Sequence, residues 1–110
     1  EELAAAFFVK KGYHILERNY RRRCGEIDLI VEDRSQLIFV EVKARTSAKF
    51  GLPQEAVTYH KQQQIIRVAQ WYLLEKGYTG RRARFDVLAI SFSGSGGPVI
   101  EHIPWAFEIE

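Results

Sequence analysis

The stretch GEIDLIVEDRSQLIFVEVKAR, residues 25–45, decides the fold of this chain. Its first part, residues 26–32, alternates polar and apolar side chains, which is typical of a β-strand with one buried face. Its second part, residues 37–42, is an almost continuous apolar run rich in β-branched residues, which also predicts a strand. The polar run 33–36 predicts a tight turn, and therefore an antiparallel hairpin. The apolar residues of the first strand are predicted to share one face: Ile27, Leu29 and Val31.

The hairpin is expected to bring acidic and basic side chains together. Because side chains alternate along a strand, Glu26 and Asp28 share a face of the first strand. Glu41 and Lys43 share a face of the second strand for the same reason. If residues 34–35 form a two-residue turn, Asp28 lies across from Glu41, with Cβ atoms about 5 Å apart. The same register places Glu26 across from Lys43.

Two carboxylates at this separation repel each other unless a cation lies between them. Mg²⁺ or Mn²⁺, which prefer oxygen ligands, would relieve the repulsion between Asp28 and Glu41. Such a metal would polarise a phosphoryl oxygen and lower the pKa of a bound water, and Lys43 would hold that water or stabilise charge on the phosphate. Glu41 also interrupts an apolar strand, where a charge is costly without a purpose.

The residues therefore indicate a metal-dependent site that cleaves phosphodiesters, with Asp28, Glu41, Lys43 and Glu26 as catalytic candidates. The alternative is structural. In it, Glu26 and Lys43 form an ordinary cross-strand ion pair, and Asp28 and Glu41 lie on a solvated edge of the sheet.

The rest of the chain predicts further helices and strands around the hairpin. A helix ending near Gly12 precedes a strand at 13–20, and a second helix starts near Pro53 or Thr58 and ends at Gly77. Its predicted buried stripe comprises Ile65, Ala69, Tyr72 and Leu73. Strands follow at 84–92 and 99–103. The order of helix, three strands, helix and two strands predicts a mixed α/β or α+β sheet flanked by helices.

Composition limits the class of protein. A length of 110 residues suits one compact domain covering 1–110. The net charge is only +2, so the placement of charges is more informative than their sum. Cys24 is the sole cysteine, which excludes an internal disulfide and a cysteine-based zinc site and fits a cytoplasmic location. The apolar run 3–9 is too short to span a membrane.

Clusters of basic residues are expected to neutralise phosphates near the acidic pocket. Nucleic-acid contacts are assigned to residues that flank the hairpin strands: Arg21, Arg22, Arg23, Arg45 and Lys49. A third cluster, Arg81, Arg82 and Arg84, leads into the fourth strand and is expected around the same pocket. Asp86 is interpreted as a buried acid that binds Arg84 or backbone, with an outer position near the metal as the alternative.

Several stretches resemble the YraN-type family of small bacterial proteins. They occur in the same order along essentially the whole chain: EELA at the start, Lys-Gly-Tyr around Gly12, GEIDLI (25–30), FVEVKAR (39–45), EAVT (55–58), RFDVLAI (84–90) and IEHI (100–103). That family is described as endonucleases predicted to be similar to archaeal Holliday-junction resolvases. It falls within the restriction-endonuclease-like (P)D-(D/E)-x-K group.

The resemblance implies a restriction-endonuclease-like core, with Asp28, Glu41 and Lys43 as the motif residues and Mg²⁺ or Mn²⁺ as the cofactor. It also implies a metal-site acid on the N-terminal helix, assigned to Glu1 with Glu2 as the alternative. Branched or distorted DNA would be the substrate and a homodimer is compatible with it. Ile27 replaces the usual Pro before the motif Asp. The chain has no Gln followed four residues later by Tyr, which argues against a RecB-type exonuclease.

Three hypotheses follow. The first is a structure-selective DNA endonuclease. The second is a nucleic-acid-binding module that keeps the nuclease fold and performs no chemistry. The third is an assembly element in which a sheet edge or the face formed by residues 71–74 binds a partner.

Overall fold

The structure is a computed structural model that describes residues 2–45, 57–78, 80–92 and 96–108. The predicted order of elements is confirmed: α1 (Glu2–Lys10), β1 (His14–Arg22), β2 (Gly25–Glu32), β3 (Leu37–Arg45), α2 (Tyr59–Lys76), β4 (Ala83–Ser91) and β5 (Val99–Phe107). Pro53, one of the two predicted starts of the second helix, lies outside the described residues. Within the described part of the chain, no helix is both long and apolar enough to cross a membrane.

The strands form one five-stranded sheet in the order β1-β2-β3-β4-β5. β3 and β4 are parallel, and the other three pairs of neighbours are antiparallel. The parallel pair requires a crossover between β3 and β4, and α2 lies within it. The protein is therefore a mixed α+β fold, as the sequence predicts, and its arrangement is consistent with a nuclease-like core.

The predicted hairpin register is confirmed. β2 and β3 pair from Glu32↔Leu37 to Leu29↔Val40, and two residues, 34–35, form the turn. The Asp33 carboxylate fixes this turn by accepting hydrogen bonds from the backbone N–H groups of Ser35 and Gln36, at 2.8 and 3.0 Å. The next position along this register brings Asp28 opposite Glu41.

The predicted common face of Ile27, Leu29 and Val31 is wrong at its first member. Ile27 packs in the core beneath α2, whereas Leu29 and Val31 pack in the core beneath α1. Residues two apart in a regular strand share a face, so β2 departs from simple alternation at Asp28. Opposite Asp28 in β1 is Asn19, which has a positive φ of 51°. This kink in the β1–β2 ribbon changes the direction of the chain at the candidate acid.

Both faces of the sheet are covered. On one face, Phe8 of α1 packs against Ile38 and Leu88. On the other, Tyr72 of α2 lies edge-on to Phe39, with ring centroids 6.0 Å apart. Burial on both faces explains why the central strands are nearly continuous apolar runs.

The second helix has the predicted ends. The Thr58 side chain caps its start by accepting from the backbone N–H of Lys61 at 3.2 Å. Gly77 ends it in a left-handed conformation with φ of 69°, which glycine adopts without a steric penalty. Three members of the predicted stripe are buried and Leu73 is half-buried.

Three strands extend beyond their predicted ends. β1 continues to Arg22, β3 continues to Arg45, and β5 continues past Ile103 to Phe107 although Pro104 lies within it. β5 is an edge strand, where the missing N–H of proline is tolerated. A register shift opposite residues 85–87 and a positive φ of 56° at Trp105 accommodate the irregularity.

Candidate functional site

Asp28 lies where the backbone pairing of β2 with β3 ends. Its Oδ2 atom accepts a hydrogen bond from the backbone N–H of Val42 at 2.8 Å, so the carboxylate takes the place of a backbone carbonyl of β2. This bond anchors the half-buried side chain between the two strands. The kink at Asp28 and this bond together place the acid beside Glu41.

Glu41 is a buried acid, with 5% of its surface exposed. Its Oε2 atom lies 3.5 Å from the Nζ of Lys43 and 3.9 Å from the Nζ of Lys61. Burial, the charge of Asp28 and a hydrogen bond to Asp28 together raise the pKa of Glu41 from 4.5 to about 7, while the two lysines oppose the shift. The predicted contact between the two acids is therefore present.

A divalent cation fits this donor set. Ionised Asp28 and Glu41 offer carboxylate oxygens on one side, and Mg²⁺ binds proteins through one or two carboxylates while keeping several waters. Within residues 2–45, 57–78, 80–92 and 96–108, no three His, Cys, Asp or Glu side chains gather around a common point. Two carboxylates would thus leave positions for water and phosphate oxygens.

The predicted third metal ligand, Glu1, lies outside the described residues. Its alternative, Glu2, binds Arg18 of β1 at 3.0 Å. Arg18 pairs with Leu29, the neighbour of Asp28, so the start of α1 lies at the same end of the sheet as the two acids.

The side chains of Glu26 and Lys43 do not bind each other, although the predicted register places the two residues opposite one another. The Glu26 carboxylate lies 2.9 Å from the Nε of Arg21 on β1, and Lys43 contacts Glu41. The cross-strand ion pair of the structural alternative is therefore absent from the ion pairs of the described residues. Glu26 lies along the edge of the site and Lys43 within it.

Lys61 is a member of the site that the sequence reading missed. It lies in the first turn of α2, which has no acidic residue, and its ammonium reaches Glu41 across the sheet face. The positive end of the helix dipole disfavours a cation at this position. A lysine in the first turn of a capped helix was therefore the available signal.

The three arginines at the end of β1 and in the following turn lie at the expected end of the sheet. Arg22 is paired with Glu75, Arg21 with Glu26, and exposed Arg23 forms no ion pair with any described residue. Arg45 ends β3, but its side chain and the whole of Lys49 lie outside the described residues.

The prediction that Arg81, Arg82 and Arg84 surround the acidic pocket is wrong. β4 is parallel to β3, with Leu37 beside Ala83 and Lys43 beside Ala89. Glu41 lies beside Val87, so Arg84 is three strand positions, about 10 Å, from the level of Glu41. Arg81 and Arg82 precede β4 and are farther away. The Arg84 guanidinium binds Asp86, which is fully buried, so the structural interpretation of Asp86 is confirmed.

We expect Glu41→Gln to stabilise the metal-free protein near pH 8 and to have little effect near pH 4. The pKa of Glu41 is about 7 in the fold against an ordinary 4.5, so the unfolded chain releases its proton first as the pH rises. The fold therefore loses stability as the pH rises from 4.5 to about 7, and the loss is about 3 kcal/mol above pH 7. Glutamine carries no charge and avoids this loss. Denaturant unfolding in EDTA at both pH values measures the difference.

A matched control is Glu101→Gln on the exposed part of β5, which should change stability by less than about 0.5 kcal/mol at either pH. Adding Mn²⁺ near pH 8 should stabilise the wild type more than Glu41→Gln, because the cation binds the ionised pair. Equal stability of Glu41→Gln and wild type near pH 8 would contradict the expectation and show that the two lysines already neutralise the acid.

Comparison with known proteins places the chain in a family. A model of the uncharacterised protein family UPF0102 matches residues 1–90. A UPF0102 protein of Geobacter metallireducens is 50% identical over 109 residues, covering 99% of this chain and 88% of that protein. The UPF0102 protein GSU0650 of Geobacter sulfurreducens is 48% identical over 109 residues, with 99% and 85% covered. One from Caldanaerobacter subterraneus is 49% identical over 90 residues, with 82% and 74% covered. The chain therefore belongs to the uncharacterised protein family UPF0102, the YraN-type family that its motifs resemble.

Proposed function

We propose that the protein is a metal-dependent endonuclease that hydrolyses phosphodiester bonds in DNA, with branched or distorted duplexes as its substrates. The observation that carries this proposal is the meeting of Asp28 and Glu41 beside Lys43 and Lys61. Two acids and two lysines on adjacent elements form a set suited to binding a cation and a phosphate together. A cytoplasmic location and a homodimer are part of the proposal.

Each residue of the set has a role in this reaction. Asp28 and Glu41 would hold Mg²⁺ or Mn²⁺, which supplies polarisation of the phosphoryl oxygen and a bound water of lowered pKa. Lys43 would position the attacking water or stabilise the charge that develops on the phosphate. Lys61, 39% exposed at its side chain, would bind a neighbouring phosphate oxygen once the metal neutralises Glu41.

The position of the basic turn supports DNA as the polymer. Arg21 and Arg22 end β1 and Arg23 follows them in the turn to β2, near the acids. Lysine and arginine contacts to phosphates supply most of the sequence-independent affinity for DNA. A protein that reads the shape of a branch rather than its sequence needs contacts of this kind.

One observation favours a second candidate, a nucleic-acid-binding module without catalysis. Lys43 and Lys61 both approach Glu41, so the acids are partly neutralised by the chain itself. A purely structural ion network would bind DNA without a metal. In that case Mg²⁺ or Mn²⁺ would not change the affinity of the protein for DNA.

The experiment incubates the protein with labelled four-way junction, flap, duplex and single-stranded DNA, in Mn²⁺, in Mg²⁺ and in EDTA. We expect cleavage in a divalent metal, none in EDTA, and faster cutting of branched DNA than of linear duplex. An Asp28→Asn preparation purified in the same way controls for contaminating nucleases. Binding without cleavage in every metal, with an affinity that Mg²⁺ leaves unchanged, would overturn the endonuclease in favour of the binding module.

A further inference from the structure

A groove outside the acidic site combines an exposed tryptophan with arginines. It is lined by Arg22, Arg23, Trp71 and Glu75 and has a volume of about 280 Å³. Trp71 on α2 has 56% of its surface exposed, although tryptophan side chains are highly buried on average. A volume near the lower end of ligand pockets, about 300 Å³, suits one planar ring rather than a whole cofactor.

The electrostatics of the groove favour an anion beside that ring. Both carboxylate oxygens of Glu75 are engaged, one by the Tyr20 hydroxyl at 2.6 Å and the other by the Arg22 guanidinium. Glu75 therefore holds Arg22 in place and its own charge is offset. Arg23 is exposed and forms no ion pair with any described residue, so its guanidinium is available to a phosphate.

The groove and the acidic site both lie along α2. Lys61 and Trp71 are ten residues apart on one helix, about 15 Å along its axis. Gly25, at the start of β2, lies close to Gln64 and Val68, which fall between these two residues on the helix.

We infer that this groove binds an unpaired nucleobase, which stacks on Trp71 while Arg23 contacts its phosphate. A base within a duplex has both faces covered by its neighbours, so only a single-stranded segment can occupy the groove. This inference rests on the proposed function and deepens it. The groove would recognise the unpaired strand of a branch, and a phosphodiester farther along the same strand would lie at Asp28 and Glu41.

The test is a binding measurement in EDTA, where no cleavage occurs, so it stands or fails independently of catalysis. The chain has two tryptophans, and Trp105→Phe leaves Trp71 as the sole reporter. Titration with single-stranded DNA of about ten nucleotides should quench Trp71 fluorescence. The converse variant, Trp71→Phe, should show no change in the fluorescence of Trp105.

Affinity provides the second readout. Trp71→Ala should weaken binding of single-stranded DNA roughly tenfold or more, with a smaller loss for Trp71→Phe and little change for duplex. Leu74→Ala, which removes a 69% exposed apolar side chain from the same helix, is the matched control and should leave affinity unchanged. Arg23→Ala should lower the salt dependence of binding by about one ion.

Other results would overturn the inference. Unquenched Trp71 together with unchanged affinity in Trp71→Ala would show that no base stacks there. If Trp71 fluorescence changes with protein concentration alone, and sedimentation changes with it, the groove would instead bind a second copy of the chain. Equal loss in Leu74→Ala would indicate general apolar contact. Single-stranded RNA that behaves like DNA would support the nucleobase site and show that the sugar is not read.

Discussion

Asp28→Asn should abolish metal-dependent cleavage while leaving the fold and DNA binding intact. The amide oxygen of asparagine can still accept the Val42 N–H, so the bond that anchors residue 28 between β2 and β3 survives. What is lost is the negative charge that a divalent cation requires. We expect the cleavage rate to fall at least about 100-fold, equivalent to about 3 kcal/mol of transition-state stabilisation. Asp28→Ala is a poorer test, because it leaves the Val42 N–H without its acceptor.

The measurement is a single-turnover cleavage rate in Mn²⁺, together with the melting temperature and duplex affinity in EDTA. Glu26→Gln is the matched comparison, since it neutralises an acid two residues away that binds Arg21. A small loss of cleavage rate in Glu26→Gln would mean that Glu26 serves only as a partner of Arg21. A loss as large as that of Asp28→Asn would place Glu26 in the metal site. Cleavage at the wild-type rate by Asp28→Asn would refute the proposed site.

Local patterns were sufficient for the hairpin that carries the site. Residues 34–35 as a two-residue turn set the register, and extending that register predicted Asp28 opposite Glu41. The caps at Thr58 and Gly77 were equally local, since each depends on the chemistry of one residue at a helix end. The hairpin register and both ends of α2, each encoded within a few residues, were therefore predicted correctly.

The errors concern contacts between distant segments. The face of Ile27 depends on the kink opposite Asn19 and on the hydrogen bond of Asp28 to Val42, neither of which periodicity contains. The misplaced Arg81 to Arg84 cluster reflects a strand direction that only the β3–β4 crossover decides. Lys61 reaches Glu41 from an element 20 residues away, and sequence spacing gives no measure of that approach.

Asp86→Ala should cause the largest loss of stability of any single change considered. The carboxylate of Asp86 is fully buried and receives hydrogen bonds from the Arg84 guanidinium at 2.9 and 3.1 Å and from the Trp105 N–H at 3.1 Å. The His102 ring nitrogen lies 2.7 Å away. Burial alone would lower the pKa of Arg84, yet the hydrogen bonds and charge of Asp86 raise it, so the cation depends on this one acid.

Removing one member of a buried ion pair costs about 3–5 kcal/mol, a large share of the 5–15 kcal/mol that stabilise most domains. Glu101→Ala, also an acid-to-alanine change but exposed on β5, should cost less than about 0.5 kcal/mol in the same denaturant titration. Combining Asp86→Leu with Arg84→Met should recover the part of the loss that comes from the unpaired Arg84 charge. If the double variant is as unstable as Asp86→Ala, the cause is the lost contacts of Asp86 with the Trp105 N–H and His102 rather than an unpaired charge. A loss below about 1 kcal/mol in Asp86→Ala would mean that water reaches Arg84 and replaces the carboxylate.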